Sequence, residues 1–127
     1  LDQGWSSDCE GYPEGAHFGN DLYVPVLAHG EAYLRDHKDG ELWPSVALRV
    51  ALAHETVWSL SKEPLVGGFP DLRPQAPEHR RRALELYRKL LGMTRQALMQ
   101  RAIERKIHAL ERDKDTKCRV YYIEGED

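Results

Sequence analysis

Apolar residues recur at helical spacing along much of the chain, and the pattern is strongest in residues 44–60. One face of that stretch carries Val46, Val50, Ala53, Val57 and Leu60. A second apolar face beside it carries Leu48, Leu52 and Trp58. A helix with two apolar faces usually lies in the middle of its core. We therefore expect Leu52 and Trp58 to be buried, either within the protomer or at a homodimer interface.

Three further helices are predicted. Residues 21–36 have a helical pattern in which Asp21 would be the N-cap and Pro25 falls in the first turn. Residues 78–91 form a basic helix, and Gly92 would end it in the left-handed conformation. Thr94 would then be the N-cap of a helix over residues 95–105, with Leu98 and Ala102 facing the core.

The period of the pattern changes after that helix. Apolar and polar residues alternate over 107–111, a polar turn covers 113–116, and residues 117–123 are rich in Val, Tyr and Ile. These features predict a β-hairpin. Helix, tight turn, helix and hairpin is the layout of a winged helix-turn-helix, so the expected fold is mostly α (α+β), a helical N-terminal part followed by a winged domain.

Proline and glycine divide the 127 residues into four segments. Residues 1–20 read as an irregular arm, 21–61 as an acidic helical part, 62–77 as a Pro/Gly linker and 78–127 as the winged helix-turn-helix.

The net charge of −3 hides an asymmetry between these parts. Residues 1–77 contain 5 Lys and Arg against 12 Asp and Glu, whereas residues 78–119 contain 13 against 6. An acidic part and a basic part with different partners is one interpretation. The other is that the two parts attract each other.

The turn between the last two helices carries a resemblance to a known family. The segment Leu90-Leu91-Gly92-Met93-Thr94-Arg95-Gln96-Ala97-Leu98 resembles the turn and recognition-helix start of the MerR/excisionase-like helix-turn-helix family. Glu104, Lys106, Ile107 and Ala109 stand where that family ends its helix and begins its wing, and Tyr122-Ile123-Glu124 where the second wing strand ends. The resemblance covers about 45 residues and implies duplex DNA as the ligand.

The chain departs from the family's pattern at the corner between helix and wing. Arg105 replaces the usual Gly, His108 a frequent Pro, and the wing turn is Asp113-Lys114-Asp115-Thr116 rather than Gly-rich. The corner is therefore expected to differ in shape, and an acidic tip is poorly suited to phosphates.

Residues at the start of a helix in the major groove reach base edges, where Arg suits guanine and Gln suits adenine. Arg95 and Gln96 would occupy that position, and Thr94 would bind a phosphate with the backbone amides beside it. Phosphate contacts would come from the preceding helix. The predicted DNA-binding residues are Arg80, Arg81, Arg82, Thr94, Arg95, Gln96, Gln100, Arg101 and Arg105.

Other chemistry finds little support in the sequence. His54-Glu55-Thr56-Val57-Trp58 begins like a zinc-protease motif, but Trp58 stands where the second ligand is needed. No enzyme activity, metal or cofactor is predicted. The two cysteines, Cys9 and Cys118, favour a reduced cytoplasmic setting, and no apolar run is long enough for a membrane span.

The sequence therefore predicts a small protein that binds double-stranded DNA, a transcriptional regulator or phage-type accessory factor. Its acidic N-terminal part would supply a protein contact or a dimer interface. The alternative is a factor that uses the same fold to bind a protein machine such as RNA polymerase.

Overall fold

In a computed structural model, residues 23–63 and 71–114 are described, and they form four α-helices. α1 spans Tyr23–Asp36, α2 Trp43–Leu60, α3 Ala76–Met93 and α4 Ala97–Glu111. A single 3₁₀ turn, Arg73–Gln75, leads into α3.

Proline sets the start of three helices. Pro25 lies in the first turn of α1, and Pro44 and Pro77 open α2 and α3. Proline has no N–H to leave unpaired in the first turn, and its fixed φ already suits a helix. The predicted helices over 21–36, 44–60 and 78–91 correspond to α1, α2 and α3.

Three hydrogen bonds between elements show which helix ends lie together. Trp43 Nε1 at the start of α2 donates to Leu34 O near the end of α1, over 3.1 Å. Arg80 Nε, early in α3, donates to Leu110 O near the end of α4, over 2.7 Å. Lys62, after α2, donates to Asp113, after α4, over 3.2 Å. α3 and α4 thus form a helical hairpin.

α2 and α3 form the centre of the packing. Residues 50–59 of α2 are all buried, and α3 contributes Ala83, Leu84, Leu86, Tyr87 and Leu90 to the same core. Trp58 and Leu52 are each only 3% exposed, which confirms their predicted burial. Helices from both sides of the predicted linker therefore share one apolar cluster.

The predicted α+β fold, a winged helix-turn-helix with a β-hairpin, is wrong: the described residues form four α-helices and no strand, and the first predicted strand of the wing is helical. Residues 107–111 continue α4, which ends at Glu111. Ile103, Ile107 and Leu110 are spaced for one helical face, and all three are buried. In a strand, Ile107 and Leu110 would lie on opposite faces, whereas the helix buries both. Arg105, unlike glycine, does not break the helix. The predicted second strand, 117–123, lies outside the described residues, as do the arm and linker residues 64–70.

The end of α4 explains the polar turn that was predicted at residues 113–116. Asp113 has a positive φ of 59°, and Lys114 N donates to Ala109 O over 2.7 Å. This is the Schellman arrangement, which satisfies the last carbonyls of a helix. Asp113 and Lys114 thus terminate a helix. Residues 115 and 116 are not among those described.

The α3–α4 turn also differs from expectation. α3 continues through Gly92 and ends where Thr94 becomes extended, at φ −81° and ψ 143°. Thr94 is therefore the C-cap of α3 and not the N-cap of α4, which is Gln96 with no side-chain cap. Leu98 is 51% exposed and not in the core, whereas Ala102 is buried as predicted.

Gly30 and Gly92 both lie within helices, but they should respond oppositely to substitution by alanine. A methyl group at Gly30 would overlap Val50 Cγ2 where α1 crosses α2, whereas one at Gly92 would meet nothing within 4 Å. We expect Gly30→Ala to lower the free energy of unfolding by about 1–3 kcal/mol. Gly92→Ala should raise it by about 0.5–1 kcal/mol, because alanine loses less conformational entropy. Urea denaturation of both variants is the measurement, and equal effects would contradict the close approach of α1 and α2.

Candidate functional site

The outer face of α4 carries more basic than acidic side chains, and Glu104 and Glu111 are exposed among them. Leu98, Arg101, His108 and Arg112 are exposed, and at about 100° per residue they fall within an arc of about 80°. The inward face of the same helix carries Ala102, Ile103, Ile107 and Leu110. Arg105 lies on the outer side but is partly buried. Within the described chain no carboxylate oxygen comes within 4.0 Å of the Arg101 or Arg112 guanidinium.

The turn before α4 adds two exposed polar side chains, Arg95 and Gln96. Its backbone is held by Thr94, whose Oγ1 accepts from Gln96 N at 3.4 Å and whose carbonyl accepts from Gln100 Nε2 at 2.9 Å. Gln100 thus braces the turn. Of the residues predicted to approach bases, Arg95 and Gln96 are the ones that project into solvent.

The arginine cluster on α3 serves mainly inside the molecule. Arg80 donates to Leu110 O over 2.7 Å and to Glu111 O over 3.2 Å, so it caps the C-terminus of α4. A cation there also complements the negative end of the helix dipole. Arg81 is exposed but is paired with Glu78 and Glu85 on its own helix.

Arg82 joins a polar cluster that spans α1, α2 and α3. Its Nε and Nη2 donate to the two oxygens of Glu31 at 2.9 and 2.7 Å, and Nη1 donates to Glu85 at 2.9 Å. His54 Nε2 lies 2.6 Å from Glu31 Oε2, and His54 Nδ1 lies 2.9 Å from His79 Nδ1. No local sequence pattern reveals this cluster, because its contacts between helices join residues that are 23 to 51 positions apart.

The charges in this cluster follow from its hydrogen bonds and from burial. The Arg82 guanidinium, with a smaller contribution from His54, lowers the pKa of Glu31 to about 2. Burial lowers the pKa of both His54 and His79 below the usual 6.5. Ionised Glu31 only accepts, so neutral His54 carries its proton on Nε2 and its bare Nδ1 accepts from His79. If both histidines were protonated, the Nδ1 atoms of His54 and His79 would each carry a proton, and the two N–H groups would face each other.

A second polar group lies fully inside the core. Glu55 on α2 and Lys106 on α4 form an ion pair in which the side chains are 2% and 0% exposed. Tyr87 on α3 donates its hydroxyl to Glu55 Oε1 over 2.7 Å. The sequence signal for this buried pair is the position of Lys106. In a continuous α4, Lys106 lies on the same inward face as Ile103, Ile107 and Leu110.

Comparisons with known proteins assign no role to these sites. No family model, no curated protein and no solved structure matches the chain. In residues 23–63 and 71–114 no group of three or more His, Cys, Asp or Glu is placed to hold a metal ion. Over the same residues, no helix has the length and apolar character of a membrane span.

The buried ion pair should be strongly coupled. Lys106→Met leaves the Glu55 carboxylate buried without its cation, and we expect a loss of about 3–5 kcal/mol in the free energy of unfolding. The double variant with Glu55→Gln should lose less than the two single variants together, because the glutamine needs no counterion and still accepts from Tyr87. Urea denaturation gives all three values. Lys114→Met, at an exposed site, is the control, and additive losses would contradict the coupling.

Acid should destabilise the protein in two steps. The histidine pKa values are lower in the folded state, so the stability they contribute is complete above pH 6.5 and declines below it. Glu31 contributes above pH 4.5, and that contribution is lost as the pH falls toward 2. His54→Gln should flatten the decline between pH 7 and 5, whereas His29→Gln, at an exposed site on α1, should not. Urea denaturation at a series of pH values in this range tests both variants. If the free energy of unfolding of wild type and His54→Gln falls in parallel with pH, His54 is not the source of the decline.

Proposed function

We propose that this protein binds double-stranded DNA through the outer face of α4 and the turn before it, as a small cytoplasmic factor in transcription or in a phage-type accessory role. The observation that carries the proposal is the set of solvent-exposed cations there, Arg95, Arg101 and Arg112. These guanidinium groups are available to an external anion, whereas Arg80 and Arg82 are engaged within the fold.

The dimensions of this face and its exposed arginines suit a groove, and Glu104 is the exposed carboxylate that lies between them. α4 has 15 residues and so extends over about 22 Å, and an α-helix fits the major groove of B-DNA. Arg95 and Gln96 precede its first turn and would lie nearest the base edges, while Arg101 and Arg112 would meet phosphates. With few phosphate contacts, the salt dependence should be moderate, since each contributes a slope of about −0.9.

A protein partner is the second candidate, and one observation favours it. Leu98 and Met93 are 51% and 49% exposed on either side of the α3–α4 turn, beside Arg95. Methionine and arginine are enriched in the cores of protein interfaces. A factor that binds a protein machine would use this apolar corner, whereas DNA binding would use the cations and leave Leu98 at the margin.

DNA binding is tested by titrating a labelled mixed-sequence duplex at 50 and 200 mM salt. Arg101→Ala should weaken binding on all sequences and reduce the salt slope by about 0.9. Gln96→Ala should instead reduce discrimination between sequences by about 1–3 kcal/mol. Arg49→Ala, an exposed arginine on α2, is the matched control and should bind as wild type does.

Two results would contradict the proposal: no salt-dependent binding by the wild-type protein at 50 mM salt, or an equal loss with Arg49→Ala. Leu98→Ser separates the two candidates. It should leave DNA affinity unchanged if DNA is the ligand, and in a protein-binding factor it should remove the partner contact while the arginine variants have little effect.

A further inference from the structure

A cleft opens between α1 and α3. It includes no residue of α4 and neither of the two histidines His54 and His79. Its volume is about 680 Å³, within the range of about 300–1,000 Å³ typical of small-molecule sites. The lining residues come from α1, α3, the turn between α1 and α2, and the start of α2: Glu31, Leu34, Arg35, Lys38, Trp43, Arg82, Lys89 and Met93.

The charge of this cleft is positive, and the excess lies away from Arg82. Glu31 and Arg82 neutralise each other through two hydrogen bonds. The remaining cations of the lining are Arg35, Lys38 and Lys89, all exposed. Arg35 contacts Asp36 on its own helix at 3.2 Å, whereas in the described chain no carboxylate pairs with Lys38 or Lys89. A concave surface lined by one sign of charge concentrates ions of the opposite sign.

The other wall of the cleft is apolar. Trp43 is 8% exposed and its Nε1 donates to Leu34 O over 3.1 Å, so the polar edge of the indole is satisfied and the ring is held in place. Met93 at the end of α3 is 49% exposed, and its flexible thioether adapts to varied apolar partners. The site therefore offers an apolar surface beside two unpaired ammonium groups.

We propose that this cleft binds a small organic anion, a carboxylate or a phosphate ester with an apolar or aromatic body. The anionic group would lie against Lys38 and Lys89, and the body would pack on Met93 and the small part of Trp43 that lines the cleft. The ammonium groups attract the charge, and the apolar wall selects against inorganic anions, which have no body to bury.

Three probes separate these contributions: 1-naphthyl phosphate, 1-naphthoate and the neutral 1-naphthalenemethanol, with inorganic phosphate as a fourth titrant. Binding is followed by ¹H–¹⁵N correlation spectra through the Trp43 indole N–H and the amides of residues 34–38 and 89–93. Both aromatic anions should shift these signals saturably, while the neutral compound and inorganic phosphate should each bind at least about threefold more weakly. Tighter binding of either aromatic anion than of the neutral compound supports the proposal, and equal binding of all three naphthyl compounds overturns it.

The variants test where the probes bind. Lys89→Gln should weaken both aromatic anions by about three- to fivefold, the effect of one exposed charge pair, and Met93→Ser should weaken the naphthyl compounds but not inorganic phosphate. Lys114→Gln, an exposed lysine after α4, should change nothing. The proposal is overturned if the aromatic anions leave the Trp43 signal unmoved, or if Lys114→Gln weakens them as much as Lys89→Gln does. It is also overturned if Lys89→Gln weakens duplex DNA as much as Arg101→Ala does, because the cleft would then belong to the DNA surface.

Discussion

The buried contact among Glu55, Lys106 and Tyr87 fixes how three helices meet. A carboxylate and an ammonium group lose their hydration when buried, and only a close partner and further hydrogen bonds make that tolerable. α2, α3 and α4 must therefore adopt the one register that brings the three side chains together. The same register directs Ile103, Ile107 and Leu110 inward, so polar and apolar requirements are met by a single continuous helix. Because burying both charges offsets most of their attraction, we infer that this ion pair acts mainly by specifying how the helices are arranged.

The arginines show why charge counted along a sequence overstates charge available to a ligand. Three consecutive arginines on α3 point in different directions because successive helical residues are separated by about 100°. Arg80 closes the end of α4, Arg82 holds Glu31, and Arg81 remains on the surface beside acidic neighbours. Part of the basic region therefore links helices within the fold. What remains for an external partner lies on α4 and at the rim of the cleft.

Local patterns predicted α1, α2 and α3 well, because proline marks their starts and apolar spacing marks their faces. They failed at α4, where residues 107–111 fit both a period of two and a helical period. Only the surroundings, which supply an apolar wall and a carboxylate for Lys106, decide between these alternatives. Exposed Arg95 and Gln96 could be placed from the turn alone, although the assigned caps were wrong. The cluster of Glu31, His54, His79 and Arg82 depends on contacts between distant segments, and a single sequence carries no periodic signal for such contacts.

α1 differs from its neighbours in how little of it is buried. Leu34 is its one fully buried residue among those described, whereas α2 buries 12. It is attached by the partly buried Val26, Leu27 and Tyr33, and by three specific contacts: the close approach at Gly30, the indole bond to Leu34 O and the charged contact of Glu31. An element with few fully buried residues opens locally at lower free energy than the core unfolds. Because α1 forms one wall of the cleft, hydrogen exchange of the α1 amides reports how often this helix opens locally. A ligand bound in the cleft would slow that exchange.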